Sequence, residues 1–224
     1  MVAADGRVLP EDGDLPIGVG RRITAAVMFI DICGFSGRPA STLAEQEQLL
    51  RVLSFLFTEL IRIIEDYGGT VEKNTGDGLM AYFPVDSTFT HHQSHRACAA
   101  AMTIFYTAAN LLNPVIARSN IVPLNFRICV DHGWITVANV GAAKRFRSFV
   151  AIGTTANIAC KLLKLAKADQ ILIGANVLAG LPENWRSQLC KIVPDSTGFV
   201  YTATQLPYFA YHFQGAWEGL RDDR

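Results

Sequence analysis

Two aspartates stand where a carboxylate could do chemistry. Asp31 ends the apolar run AAVMFID, and Asp77 lies in the short segment TGDG. An unpaired buried charge is costly, so a carboxylate at the end of a core strand needs a partner. Two facing carboxylates repel each other unless cations bridge them, and Mg²⁺ favours such all-oxygen sites together with phosphate-bearing substrates. Taken singly, each residue also fits an ordinary loop cap or an Asp-Gly turn.

The segment after Asp31 is small and is punctuated by Gly34 and Gly37. Its backbone amides could form an anion-binding nest, and the helix beyond could add its dipole to the binding of a polyphosphate. Two-metal phosphoryl or nucleotidyl transfer is the chemistry that such parts serve. The predicted phosphate-binding residues are Ile32, Cys33, Gly34 and Phe35.

Hydrophobic patterning predicts the elements that carry these residues. RITAAVMFID is typical of a buried strand. A helix follows from Ser41 or Thr42, with Glu45 placed for a capping box. TVEKNTGDGLMAYF then predicts a hairpin whose turn holds Asp77.

The second half of the chain continues this alternation. It predicts a helix over about residues 92–112, a hairpin turning at Asp131–Gly133, the strand RSFVAIG, and a helix opened by Thr154 or Thr155. QILIG and the C-terminal segment from residue 191 to 213 read as late strands. The expected class is α+β, with helices packed on a mainly antiparallel sheet.

Composition favours an ordinary globular protein. Half of the 224 residues are hydrophobic, and zero formal net charge gives no attraction to nucleic acid or to an anionic membrane. No apolar run approaches the roughly 18–20 residues of a membrane span, and no signal peptide is recognisable. Five scattered cysteines without a CxxC pair indicate reduced thiols. We expect a cytoplasmic protein with a flexible tail over 1–20 and one domain over 21–224.

Four segments resemble the catalytic domain of class III nucleotidyl cyclases, the adenylate/guanylate cyclase family. They are AVMFIDICGFS, GGTVEKNTGDGLMAYF, RICVDHGWITVANVG and FVAIGTTANIACKL, and they keep the family's order over residues 22–175. Several motifs in order are more specific than any one alone. The resemblance implies the class III cyclase fold, a ferredoxin-like βαββαβ core with extra C-terminal strands. It also implies a head-to-tail homodimer with composite active sites.

The resemblance assigns roles to individual residues. Asp31, Ile32 and Asp77 of one subunit would hold two divalent ions, Mg²⁺ or Mn²⁺. The other subunit would supply Lys73 to read the base and Asn157 to stabilise the transition state. The basic segment KRFR falls where the family binds the triphosphate, although an exposed basic strand would look the same. Its predicted ligands are Lys144, Arg145 and Arg147.

Two positions depart from the family pattern. The base-reading partner, Asp or Thr in adenylate cyclases, falls on Val150, and the transition-state Arg falls on Lys161. Asn157 and Lys161 are four residues apart, so they share one helix face. Lys carries the positive charge but lacks the planar bidentate fork of Arg. Arg145 or Arg147 is the candidate to compensate for it.

These departures bear on the choice of base. Lys73 only donates hydrogen bonds and Val150 offers none, whereas the amino group of adenine needs an acceptor. Uracil presents two carbonyl acceptors and suits such a pocket best, with cytosine intermediate. A mispaired buried polar group costs about 1–3 kcal/mol, enough for tenfold discrimination. The residues favour a uridylate cyclase, then a cytidylate cyclase, then an adenylate cyclase.

The short chain also resembles the stand-alone pyrimidine cyclases of bacterial Pycsar anti-phage systems, whose cyclic UMP or cyclic CMP acts on a separate effector protein. The competing interpretation is a decayed cyclase fold that only binds nucleotide or dimerises, for which Val150 and Lys161 argue. The presence of the four matching residues favours the enzyme; they are Asp31, Lys73, Asp77 and Asn157. His91 and His95 have metal-like spacing but are more typical of a solvated surface.

Overall fold

The computed structural model of the protein describes residues 16–74, 76–142 and 146–217. The strands of this part of the chain are β1 Gly20–Ile32, β2 Thr70–Asn74, β3 Gly78–Pro84, β4 Phe126–Ala142, β5 Phe146–Ile152, β6 Gln170–Gly174, β7 Cys190–Ile192 and β8 Ala210–Phe213. The helices are α1 Leu43–Asp66, α2 Gln93–Thr107, α3 Asn113–Ala117, α4 Thr154–Leu162, α5 Ala175–Leu178 and α6 Glu183–Leu189.

One sheet with the order β2-β3-β1-β4-β6-β8-β7 organises the molecule, and β5 pairs with the far end of β4. β4 and β6 run parallel, and every other pairing among the described strands is antiparallel. The predicted α+β class with a mainly antiparallel sheet is confirmed.

β1 is apolar and buried from Ala25 to Ile30 because both of its faces are covered there. Met28 and Ile30 face the cluster that includes α1 and α2, while Val27 and Phe29 face the cluster that includes α4. A half-exposed strand would alternate apolar and polar residues, whereas a strand buried on both sides reads as a continuous apolar run. β1 is therefore the rigid centre from whose end Asp31 projects.

α1 begins as its sequence predicts. Thr42 is the N-cap, its hydroxyl accepts from the Glu45 amide over 3.2 Å, and the Glu45 carboxylate accepts from the Thr42 amide over 2.8 Å. This capping box satisfies two amides that the first helical turn leaves unpaired. After the helix, Gly68 adopts a φ of 70°, a left-handed conformation that suits glycine. The helix thus returns the chain directly into β2.

The predicted hairpin at Asp131–Gly133 is wrong. Phe126–Ala142 is one strand, paired with β1 through the supposed turn, and Asp131 is fully buried opposite Val27. Gly133 serves close packing rather than a turn, because a Cβ there would lie 2.6 Å from Thr155 Oγ1 of α4. The polar triplet therefore sits inside the sheet, and the predicted element order contained one strand too many.

The second helical segment also runs further than predicted. After α2, a π-helical turn over Ala108–Leu112 leads into α3, and Pro114 lies in the first turn of α3. Proline is tolerated there because first-turn amides have no helical partner. By length and composition, Gln93–Ala117 would suffice to cross a membrane, contrary to expectation. Much of α2 is buried against the sheet, as in the core helix of a globular domain.

Candidate active site

Asp31 and Asp77 lie on neighbouring strand ends. Asp31 pairs with Gly78 of β3, and the Ile32 amide donates to the Asp77 carbonyl over 3.2 Å. Asp77 immediately precedes Gly78, so the two aspartates occupy diagonal positions at the ends of adjacent strands. The two carboxylates that the sequence singled out therefore project from adjacent points of the backbone.

Arg127 is a site residue that the sequence analysis missed. It stands opposite Asp31 across β1 and β4, and its Nε donates to Asp31 Oδ2 over 2.6 Å. Its Nη1 donates to the Leu163 carbonyl, just after α4, over 3.0 Å. Only the pairing register of two distant strands reveals this contact. Arg127 could have been predicted from its place at the start of a strand, if that strand had been recognised as the antiparallel partner of the end of β1.

The donor set fits a magnesium or manganese site that the substrate completes. Among the described residues no group of three or more His, Cys, Asp and Glu side chains converges on a metal position. Mg²⁺ is typically held by one or two carboxylates together with substrate phosphates and water, rather than by a full protein cage. Asp31 and Asp77 are such a pair, and Ile32, predicted to join them, lies between them in the hydrogen-bonding ladder.

The loop after β1 offers fewer free backbone amides for phosphate binding than predicted. The Ile32 amide is bonded to Asp77, and the Cys33 amide donates to the Asn125 carbonyl over 2.9 Å. An anion nest would therefore have to rely on Gly34, which has a φ of 67°, and on Phe35. A cleft of about 510 Å³ opens beside Cys33 and Gly34. Burial raises the pKa of the Cys33 thiol, although nearby Arg127 opposes this effect.

α4 presents Asn157 and Lys161 to solvent on one face. The Lys161 ammonium lies 4.7 Å from the centre of the Phe199 ring, a cation–π contact. Both side chains are exposed in the single chain. A residue that contacts a second copy would have to be exposed in this way. The pairing on one face follows the predicted spacing, whereas the contact with Phe199 was not foreseen.

The two positions assigned to base reading lie on β2 and β5. Lys73 pairs in register with Met80, and Val150 pairs with Ala138 and is half-buried. The side chains of Lys73 and Arg147 lie outside what the structure describes, as do residues Lys144 and Arg145. The predicted roles of these four residues stay predictions.

The family comparison bears directly on this arrangement. Residues 20–193 match the family model described as the adenylate and guanylate cyclase catalytic domain. The chain belongs to this family. The match begins with β1 and ends just after β7, so it includes the carboxylate pair, Arg127 and α4 of the cyclase domain.

Two curated relatives come from Mycobacterium tuberculosis. An uncharacterised protein is 29% identical over 171 residues, which are 74% of this chain and 27% of the relative. A protein named adenylate cyclase is 27% identical over 161 residues, or 72% of this chain and 34% of the relative. The cyclase domain therefore spans only about a third of the length of these relatives.

Solved structures share the cyclase fold at lower identity. The guanylyl cyclase Cya2 superposes with a TM-score of 0.72 at 20% identity, covering 90% of this chain and 97% of that one. The adenylyl cyclase CyaB from P. aeruginosa gives 0.69 at 23% identity, covering 91% and 98%.

Other titratable groups of the cyclase domain lie away from the carboxylate pair. The rings of His91 and His95 are 4.4 Å apart, and His95 also contacts Trp185 at 4.4 Å. His95 is half-buried, which departs from the expected solvated surface. Burial and the nearby His91 lower the pKa of His95. These rings support packing at the start of α2.

Asp131 is a fully buried carboxyl whose pKa departs strongly from its ordinary value. Burial raises its pKa from 3.8 to about 7, and the hydrogen bond from the Tyr208 hydroxyl, 2.5 Å away, partly opposes this. Oδ2 of Asp131 has no hydrogen-bond partner in the described part of the chain. The Tyr208 hydroxyl in turn accepts from the Asn176 amide over 2.9 Å, so the carboxyl joins β4 to α5.

Proposed function

We propose that this cyclase domain converts a nucleoside triphosphate into its 3′,5′-cyclic monophosphate and pyrophosphate, with UTP as the substrate. The observation that carries the proposal is the adjacency of Asp31 and Asp77 at the ends of β1 and β3, with the Arg127 guanidinium beside them. Two carboxylates can bind the metal ions of a triphosphate, and the guanidinium can offset the negative charge of its phosphates.

The chain's residues divide the work of the reaction. Asp31 and Asp77 hold two divalent ions, which when bound lower the pKa of the ribose 3′-hydroxyl and stabilise charge on the α-phosphate. The 3′-oxygen gives its proton to solvent water and bonds to the α-phosphorus, while the bond from that phosphorus to the bridging oxygen of the β-phosphate breaks. Arg127 offsets negative charge at the phosphates, and pyrophosphate leaves toward Arg145. In-line displacement of this kind depends on positioning and on charge stabilisation.

A second copy of the chain completes the site in this proposal. Asn157 and Lys161 are exposed on one face of α4, where they can reach the substrate held by the partner's carboxylates. Lys161 supplies positive charge to the transition state in place of Arg. The protein is accordingly proposed to act as a head-to-tail homodimer with two composite sites.

The choice of UTP rests on the base-reading positions. Lys73 is a donor and Val150 is apolar, so the pair favours the two carbonyl acceptors of uracil over the amino group of adenine. Cyclic UMP would then act as a second messenger on a separate effector protein in anti-phage defence. Adenylate cyclase activity is the second candidate, because a mycobacterial relative at 27% identity is named adenylate cyclase.

The test is to incubate the purified protein with each of the four nucleoside triphosphates and Mn²⁺ or Mg²⁺. Mass spectrometry identifies the nucleotide product, and a coupled assay measures pyrophosphate. Dominant cyclic UMP supports the proposal, and dominant cyclic AMP overturns the choice of base. Absence of metal-dependent pyrophosphate release would instead support a non-catalytic nucleotide-binding or dimerising module.

A further inference from the structure

The strand that carries Lys73 contains a β-bulge. Val71 pairs with Ala81 and Lys73 pairs with Met80, so Glu72 is the extra residue that the bulge inserts into β2. Without the bulge, Lys73 would stand opposite Leu79, which belongs to the core on the other face of the sheet. Bulges shift register and re-aim side chains beside functional sites.

Glu72 uses its position in the bulge to reach another strand. Its Oε2 accepts a hydrogen bond from the Ala151 amide of β5 over 2.9 Å, and both partners are partly buried. Ala151 stands opposite Val137 of β4 while its amide turns away from β4 to the outer edge of β5. This bond joins β2 to β5, two strands that are not neighbours in the sheet.

The bond lies one residue from each base-reading position. Lys73 follows Glu72, and Val150 precedes Ala151. A hydrogen bond to a carboxylate is stronger than one between neutral groups, so the 2.9 Å contact restrains the separation of the two strands. Discrimination between bases depends on donors and acceptors being held in place, because a displaced partner leaves a buried polar group unpaired.

We propose that Glu72 is a positioning residue for base selection, whose bond to the Ala151 amide sets the distance between Lys73 and Val150. The proposal rests on the proposed function, since it assigns Lys73 and Val150 to the base. Glu72 does not touch the base in this arrangement. It acts through the two strands that it joins.

The test removes each half of the bond separately. Glu72→Ala deletes the acceptor, and Ala151→Pro deletes the donor amide while keeping an extended edge strand that tolerates proline. Glu72→Gln keeps a weaker acceptor, and Glu65→Ala on the exposed face of α1 is the matched control. Circular dichroism and thermal melting establish that each variant is folded.

The readout is the ratio of affinities for different bases. Titration with the four 3′-deoxynucleoside triphosphates, which lack the attacking hydroxyl, measures binding without turnover, and a ratio cancels the inactive fraction of each preparation. We expect Glu72→Ala and Ala151→Pro to lower the preference for the favoured base by about tenfold. The double variant should be no worse than either single one, and Glu72→Gln should lie between wild type and Glu72→Ala.

Unchanged base preference in folded Glu72→Ala and Ala151→Pro proteins would overturn the proposal, and so would additive losses in the double variant. A wild-type protein that binds nucleotides selectively but forms no cyclic product would overturn the proposed function alone. A wild-type protein without any base preference would overturn the role of Glu72 whatever its catalytic activity.

Discussion

Arg127 Nε lies 2.6 Å from Asp31 Oδ2, while the same guanidinium donates to the Leu163 carbonyl over 3.0 Å. One side chain thus ties a candidate metal ligand on β1 to the end of the helix that carries Asn157. Burial lowers the pKa of Arg127, but the hydrogen bond and the charge of Asp31 outweigh it and raise the pKa above its ordinary value. The cation is therefore permanent.

Replacing Arg127 by Lys tests whether activity needs only the positive charge at this position or also the two contacts of the guanidinium. Lys keeps the positive charge but presents one donor nitrogen in place of the Nε and Nη1 that contact Asp31 and Leu163 separately. We expect kcat/KM to fall at least about tenfold, with a loss of about 1 kcal/mol in unfolding free energy because the pair is only partly exposed. Arg62→Lys, in exposed ion pairs on α1, is the control. Wild-type kinetics in Arg127→Lys would contradict the assignment.

Removing either carboxylate should abolish metal-dependent turnover without unfolding the chain. Asp77→Ala and Asp31→Ala each leave one carboxylate for two divalent ions, which is insufficient. Asp31→Ala should also lose about 1 kcal/mol of stability because Arg127 loses its partner. Pyrophosphate release across a Mn²⁺ titration and thermal melting measure the two effects. An active Asp77→Ala protein would refute the two-metal assignment.

Lys73→Glu should move the base preference toward guanine. A carboxylate in place of the Lys73 ammonium would accept from the donors on the base-pairing edge of guanine. We expect the ratio of GTP to UTP turnover to rise by about tenfold or more, since each mispaired group costs about 1–3 kcal/mol. Product identification with competing triphosphates measures this ratio. If the ratio stays constant, the base is read elsewhere.

Lys161→Arg should increase kcat. The Lys161 ammonium is drawn over the Phe199 ring at 4.7 Å, whereas an Arg there would offer two parallel donors to the α-phosphate. A gain of about three- to tenfold corresponds to about 1 kcal/mol of added transition-state stabilisation. KM should change little, because the group acts in the transition state. Lys164→Arg, exposed nearby, controls for surface charge, and a lower kcat in Lys161→Arg would argue against this role.

Asp131→Asn should alter the pH dependence of stability. The raised pKa of about 7 means that the folded state resists ionisation of Asp131, so the contribution of this carboxyl to wild-type stability declines as the pH rises from about 4 to about 7. The side-chain amide of the variant does not titrate, and the histidines contribute equally to both proteins. The melting temperature of the variant minus that of wild type should therefore increase between pH 5 and pH 8. A difference independent of pH would show that Asp131 ionises normally.

Local signals were sufficient for much of the fold. The capping box of Thr42 and Glu45, the buried run of β1 and the hairpin around Asp77 are encoded within a few residues of one another, and the structure has each of them. The failures arose where distant contacts override a local pattern. Asp131 resembles a turn residue, yet Tyr208 satisfies one of its oxygens from 77 positions away.

In the candidate site too, contacts encoded locally were predictable and contacts between distant residues were not. Asp31 and Asp77 could be paired from the sequence because one helix and one tight turn separate them. Arg127 could not, since its contact with Asp31 depends on the register of β1 against β4, across 96 residues. The contact between Glu72 and Ala151 likewise requires a bulge and a strand edge, neither of which has a distinctive composition.

The uninterrupted β4 has a consequence for how related chains can vary in length. Arg127 and Ala138 lie about 35 Å apart on one continuous strand, which sets the distance between the carboxylate pair and the part of β4 that pairs with β5. Adding or deleting a single residue along it would invert the facing of every side chain beyond that point. Length changes are therefore accommodated most easily in the loops at either end of β4, which keeps the carboxylate pair and the proposed base-reading positions on constant faces of the sheet.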